Sequence, residues 1–156
     1  MNGPDSFRAV KPGDFDGVDA LLRAAFGRPQ EAGLVLALRA AGLIETEVVM
    51  PWGKGVVAHL VLSRLVTPAG WLALAPVSVA PEWQGKRLGS RLLQGVLKLA
   101  RIKGHSLVVV GKPSFYSRAG FVFDAALCPP YPADMTGVFG ATGPVTVGYP
   151  AAFDGI

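Results

Sequence analysis

The sequence predicts one α/β domain spanning residues 1–156, and three observations carry that expectation. Apolar runs of strand length alternate with segments whose apolar residues recur at helical spacing. Hydrophobic residues make up 51% of the 156 positions, enough for a buried core and too many for a disordered chain. No internal repeat, heptad or linker-like stretch divides the chain.

Asp14 to Phe26 places Val18, Leu21, Leu22 and Ala25 at helical spacing, with Asp14 or Asp16 available as cap. Gly27-Arg28-Pro29 interrupts that helix, and a second from Glu31 to Ala41 ends at Gly42. Glu45 to Met50 and Val56 to Ser63 read as strands joined through the turn-rich Pro51-Trp52-Gly53-Lys54-Gly55. Thr67-Pro68-Ala69-Gly70 leads into a strand from Trp71 to Val79. A helix from Ser90 to Lys103, closed by Gly104, precedes a buried strand beginning Leu107-Val108-Val109-Val110. Ser114 is the expected N-cap of a short helix that Gly120 stops, and Phe121-Val122-Phe123 begins another strand. From Cys128 to Pro144 the Pro- and Gly-rich sequence assigns no element, and a last strand is expected near Val145 to Tyr149.

The chemistry concentrates in Val77-Ser78-Val79-Ala80-Pro81-Glu82-Trp83-Gln84-Gly85-Lys86-Arg87-Leu88-Gly89-Ser90, which reads as strand, turn and helix start. Unsatisfied amides and the dipole at a helix N-terminus favour an anion. Glycines let the main chain approach a phosphate without a Cβ in the way. Lys86 and Arg87 add full positive charges, and Gln84 can both donate and accept. The pattern suits a diphosphate; on the residues alone, a solvated turn capping a helix is the alternative.

The same run resembles the acetyl-CoA loop of the GNAT superfamily of N-acetyltransferases, whose pattern is Gln/Arg-x-x-Gly-x-Gly/Ala after a strand. Gln84 and Gly89 match its first and last positions, and Val79, Pro81, Trp83 and Gly85 match the flanks. Arg87 stands where the middle glycine usually does. Further on, Phe115, Tyr116, Gly120 and Phe121 match the superfamily's Phe-Tyr-x-x-x-Gly-Phe, one helix and one strand after the loop. Phe7 to Asp14 resembles its first strand and helix cap. Gly111-Lys112-Pro113 and the segment Val145 to Phe153 resemble features of one bacterial branch. The resemblance implies a mixed, mostly antiparallel central sheet flanked by helices.

It also implies an enzyme that moves an acetyl group from acetyl-CoA to a primary amine by direct attack on the thioester. Val77 and Val79 would pair through their main chain with the pantetheine arm, and an N–H at Val77 or Ser78 would serve the oxyanion. Gln84, Gly85, Lys86, Arg87, Leu88, Gly89 and Ser90 would hold the diphosphate. Tyr116 stands where the family places the phenol that protonates the departing thiolate; an ordinary tyrosine pKa of about 10 keeps it protonated at neutral pH. Its alternative is a core tyrosine. Phe115 and Phe121 read as packing, Ser90 alternatively as a helix cap, and Trp83 as a lid over the loop. Arg87 either reaches a phosphate or points away.

No carboxylate occurs from Trp71 to Val79, so the general base is sought elsewhere. A histidine side chain is an ordinary proton acceptor at physiological pH, which makes His59 the candidate, against the alternative of a packed histidine, while Glu45 and Glu47 flank the same sheet. An acyl-CoA-binding or sensor module without turnover is the competing function. A nucleic-acid-binding protein is disfavoured, because the basic residues are scattered apart from Lys86, Arg87 and Arg91 and the pair Lys98 and Arg101.

Fifteen Lys and Arg against eleven Asp and Glu give a net charge of +4, which favours anionic ligands such as CoA. One cysteine, Cys128, forms no internal disulfide, and no Cys/His cluster suggests a metal. No apolar run is long enough to cross a bilayer, and Met1-Asn2-Gly3-Pro4-Asp5 does not resemble a signal peptide, so a cytoplasmic location without membrane contact is expected. A homodimer through the C-terminal strand is compatible with the sequence.

Overall fold

The most apolar stretches of the first half form the centre of the sheet: β2 (Ile44–Trp52) and β3 (Gly55–Arg64), antiparallel and joined at Gly53-Lys54. Val56 to Ser63 are buried at every position, so β3 is covered on both faces. The architecture comes from a computed structural model that describes residues 4, 6–124, 126–127, 131–142 and 144–156. Cys128 lies outside the described residues, as do Met1, Asn2, Gly3 and Asp5.

Two helices cover one face of the sheet, α1 (Phe15–Phe26) and α2 (Gln30–Ala40), and α3 (Leu88–Lys103) covers the other. The remaining elements are β1 (Arg8–Ala9), β4 (Leu72–Val79), β5 (Leu107–Val110), α4 (Pro113–Arg118), β6 (Val122–Phe123) and β8 (Thr136–Phe139). β7 (Ala126–Leu127) and β9 (Val145–Thr146) pair in a small separate sheet. Among the described residues the main sheet has seven strands in the order β1-β2-β3-β4-β5-β8-β6. Every neighbour pair in it is antiparallel except β4 and β5. That is the mixed, mostly antiparallel arrangement the resemblance implies.

The exception shapes the site. β4 and β5 pair only at Leu72 with Leu107 and at Ala73 with Val108, then separate. On its other side β4 carries one extra residue against β3, because Leu60 faces Val77 while Leu62 faces Leu74. Pro76 sits in that bulge and has no N–H to offer a neighbouring strand. From Leu74 to Val79, β4 therefore keeps its partner β3 but has a free edge towards β5.

Most predicted elements form within a residue or two of their expected ends; the last strand stops at Thr146 rather than Tyr149, and there are three further corrections. Ser90 does not cap α3, which begins at Leu88 with Arg87 in the N-cap position. Ser114 does not cap α4; Pro113 occupies its first position and the extended Lys112 precedes it, since proline presets the helical φ there. Within the unassigned tail, Thr136–Phe139 forms β8, inserted between β5 and β6.

Asp14 sits at the N-cap of α1, but its side chain turns backwards. It accepts hydrogen bonds from Arg8 Nη1 and Nη2 at 2.7 and 3.0 Å and from the Lys11 N–H at 2.8 Å, tying β1 to the start of the first helix. The Arg8 bonds, then the Lys11 amide, hold its carboxyl at about 2 against an ordinary 3.8. A depressed carboxyl stabilises the fold fully above its unfolded value, and that contribution fades as pH falls through the folded one. Asp14→Asn should thus flatten the acid limb of stability between 3.8 and about 2, read by denaturation at stepped pH. An unaltered limb would show that this ion pair is not formed.

Candidate active site

After β4 the chain makes a short 3₁₀ turn, Pro81–Trp83, and then two left-handed residues, Gly85 (φ 78°) and Arg87 (φ 66°), before α3 begins. An L-residue in the left-handed region costs on the order of 1 kcal/mol or more. Arg87 thus adopts a conformation that favours glycine, at the N-cap of α3. Gln84 Nε2 donates to the Val79 carbonyl at 3.0 Å, closing the turn onto the end of β4.

Trp83 is only 8% exposed and meets Trp52 of the hairpin edge-on, with ring centroids 5.3 Å apart. It is therefore a prop beneath the loop rather than a lid over it. Lys86 Nζ stands 5.9 Å from the Trp83 ring centroid, and Leu88 buries its side chain in the core while its amide stays at the helix start.

Between the free edge of β4, this loop and α4 lies a cleft of about 650 Å³. Val77, Val79, Gln84, Gly85, Arg87, Leu88, Gly89, Ser90 and Tyr116 all line it, so most of the residues singled out from sequence converge on one place. Three do not line it: the side chains of Ser78 and His59 are buried, and Lys86 lies over Trp83. Trp83, Lys112 and Phe115 complete the wall. A second hollow of about 510 Å³ adjoins it through Arg87, Ser90 and Phe115, and adds Gln94 and Arg118. Sequence reasoning missed Lys112, Gln94 and Arg118. The helical spacing of Ser90 and Gln94, four apart on α3, is the signal that could have found one of them.

Tyr116 is half-buried, packed edge-on against Phe115 at 4.9 Å and Phe121 at 5.6 Å. A Cβ on Gly111 would fall 2.5 Å from its ring, so that glycine makes room for the phenol. Burial raises the Tyr116 pKa above its ordinary value, which keeps the hydroxyl protonated across the neutral range.

His59 has a buried carboxylate partner. Its ring is 0% exposed, and Nε2 lies 2.8 Å from Glu47 Oε2. Arg39 of α2 donates to the same carboxylate from Nε at 3.1 Å and Nη2 at 2.6 Å, with its guanidinium 3.8 Å above the Phe15 ring. Burial alone would raise the Glu47 pKa; the bonds from His59 and Arg39 outweigh it and hold the carboxyl below its ordinary value. Counting outward from the Gly53-Lys54 turn puts residues 47 and 59 near one another, so half of this cluster was legible. The contribution from α2 was not.

Residues 37–123 match the acetyltransferase (GNAT) domain family. The uncharacterized N-acetyltransferase YhbS of Escherichia coli strain K12 is 34% identical over 119 residues, covering 73% of this chain and 71% of that protein. The uncharacterized N-acetyltransferase YjhQ of the same strain is 30% identical over 145 residues, covering 81% and 76%. The crystal structure of E. coli YhbS in complex with CoA superposes with a TM-score of 0.84 at 27% identity, over 99% of this chain and 96% of that one. A GNAT acetyltransferase from Brucella melitensis in complex with acetyl-CoA gives 0.81 at 29% identity, over 96% and 97%. With its split strand and left-handed loop at a helix start, the chain belongs to the GNAT acetyltransferase family.

Proposed function

We propose that this chain, read whole as one acetyltransferase domain, transfers the acetyl group of acetyl-CoA to a primary amine. The observation that carries the reading is the convergence of the free edge of β4, the Gly85–Ser90 loop and Tyr116 on one cleft. An extended pantetheine arm can add to an unpaired strand edge, as a peptide does in strand addition. The diphosphate suits the amides at the start of α3, with the Arg87 guanidinium beside them. The nucleotide end suits the adjoining hollow, where Arg87 and Arg118 supply positive charge.

In this reading the thioester carbonyl meets a backbone N–H at Val77 or Ser78 as negative charge develops on its oxygen. Tyr116 gives its proton to the departing thiolate, and His59 is the proton acceptor for the attacking amine. The acceptor would enter from the side of α1 and α2, opposite the cofactor cleft.

Acetyl-CoA thiol release, followed over a panel of primary amines, tests the activity. Tyr116→Phe should lower kcat about a hundredfold while changing acetyl-CoA affinity little, because the phenol acts on a charge present only at the transition state. Equal rates in the two proteins would remove the acid role. Tight CoA binding with no thiol release from any amine would favour the non-catalytic binding module instead.

A further inference from the structure

The amine must lose a proton before it attacks, yet the cofactor cleft contains no carboxylate among its lining residues. Groups able to take that proton lie on the opposite face of β4. Val77 and Val79 line the cleft, so by strand alternation Ser78 points to the face covered by α1 and α2. Ser78 is the register partner of His59, which sets the two side chains side by side on that face, with Cβ atoms about 5 Å apart. Ser78 is 4% exposed.

Two atoms there lack a hydrogen-bond partner among the described residues, Ser78 Oγ and His59 Nδ1. Buried polar atoms are normally partnered, by protein or by ordered water. Orphans on directly paired residues call for one shared partner. The state of the ring follows from its other nitrogen. Glu47 is ionised and can only accept, so His59 Nε2 carries the hydrogen and Nδ1 presents a lone pair. Charged or titratable groups reach His59 from β2 (Glu47) and, through Glu47, from α2 (Arg39). α1, packed on the same strands, buries only Val18, Leu21 and Leu22.

We infer that Ser78 and His59 hold one water between Oγ and Nδ1, and that this water passes the acceptor's proton to a His59–Glu47 pair clamped by Arg39. The inference rests on the acetyl-transfer reading. In the step, an N–H bond of the acceptor ammonium breaks as the water takes its proton. The same water gives one of its own to Nδ1, where a new N–H bond forms. The amine lone pair is freed for the thioester carbonyl, and the imidazolium is balanced by the Glu47 carboxylate. Glu47 and Arg39 act through His59 and are positioning residues.

The chain has two histidines, His59 and His105, so ¹⁵N-histidine labelling resolves them. In the full-length protein His59 should be the Nε2–H tautomer at neutral pH. Glu47→Gln should lower the pH at which His59 becomes protonated, since it removes the anion that stabilises the cation. Thiol release from acetyl-CoA with a polyamine, a lysine peptide and an amino sugar supplies the kinetic arm. There His59→Gln should cut kcat about a hundredfold and abolish the acid limb of the rate profile, with acetyl-CoA affinity within about twofold. Glu47→Gln should move that limb to lower pH. Ser78→Ala, which leaves the ion pair intact and so guards against misfolding, should cost about tenfold in kcat without moving the limb.

A Nδ1–H tautomer, or an active wild type matched within about twofold by His59→Gln and Ser78→Ala, would overturn the relay while leaving acetyl transfer standing. A wild type that binds acetyl-CoA but releases thiol with none of the three amines would overturn the transfer reading, and the relay with it.

Discussion

Replacing Gly89 with leucine should reduce CoA affinity about a thousandfold, or ~4 kcal/mol, without destabilising the protein. A Cβ built at residue 89 meets only Val79 Cγ2, at 3.5 Å, an ordinary contact. Nor is residue 89 among the positive-φ positions. Contrast Gly95, where a Cβ would fall 2.2 Å from the Phe7 ring, so that any side chain there forces the ring to shift. Among the described residues nothing requires a glycine at 89, so the space it leaves is available to a ligand against the first amides of α3. A leucine there would fill the mouth of the cleft beside Val79 and displace the diphosphate from its donors. Glycine is a poor helix former, so the variant's melting temperature should be equal or higher. Calorimetry with CoA and a thermal melt together make the check: affinity lost with stability kept is the expected signature, and unchanged affinity would refute the loop assignment.

The second large effect is on stability. Glu47→Ala should cost about 3–5 kcal/mol, because it strands Arg39 and His59 in the interior without their shared carboxylate. The pH dependence has a definite sign. Although burial opposes it, the bonds from His59 and Arg39 leave the folded carboxyl below its ordinary 4.5. Its contribution is therefore complete above that value and lost as pH falls through the lower folded one. The gap between wild type and Glu47→Ala should be widest near neutrality and shrink in acid below pH 4.5. Urea denaturation at several pH values measures it. A gap below about 1 kcal/mol at neutral pH would mean that the cluster is solvated like a surface pair.

Much of the frame was legible because its signals are local. Gly27 and Gly104 end α1 and α3 in the left-handed conformation, where the sequence put the helix stops. The strand-turn-helix order around Val77 to Ser90 was also readable, since periodicity changes abruptly at Pro81. What escaped depends on distant partners. Thr136–Phe139 becomes a strand only because β5 and β6 flank it, and its Gly137 is covered by the Phe123 ring, a contact no local pattern encodes. Arg87 stands where the motif usually has glycine, yet the residue itself does not encode a left-handed backbone, because that strain is imposed by the loop closing onto α3. The His59 cluster needed two facts at once, the hairpin register and the docking of α2, and only the first is written in a turn.

Backbone-amide NMR of the labelled chain titrated with CoA tests the central claim most directly, since it reads occupancy and place together. Large shifts should appear at Gly85, Lys86, Arg87, Leu88, Gly89 and Ser90, with a second set at Val77 and Val79 along the free edge of β4. A spectrum that stays still throughout the titration, or one that moves elsewhere while these amides hold their positions, would contradict it.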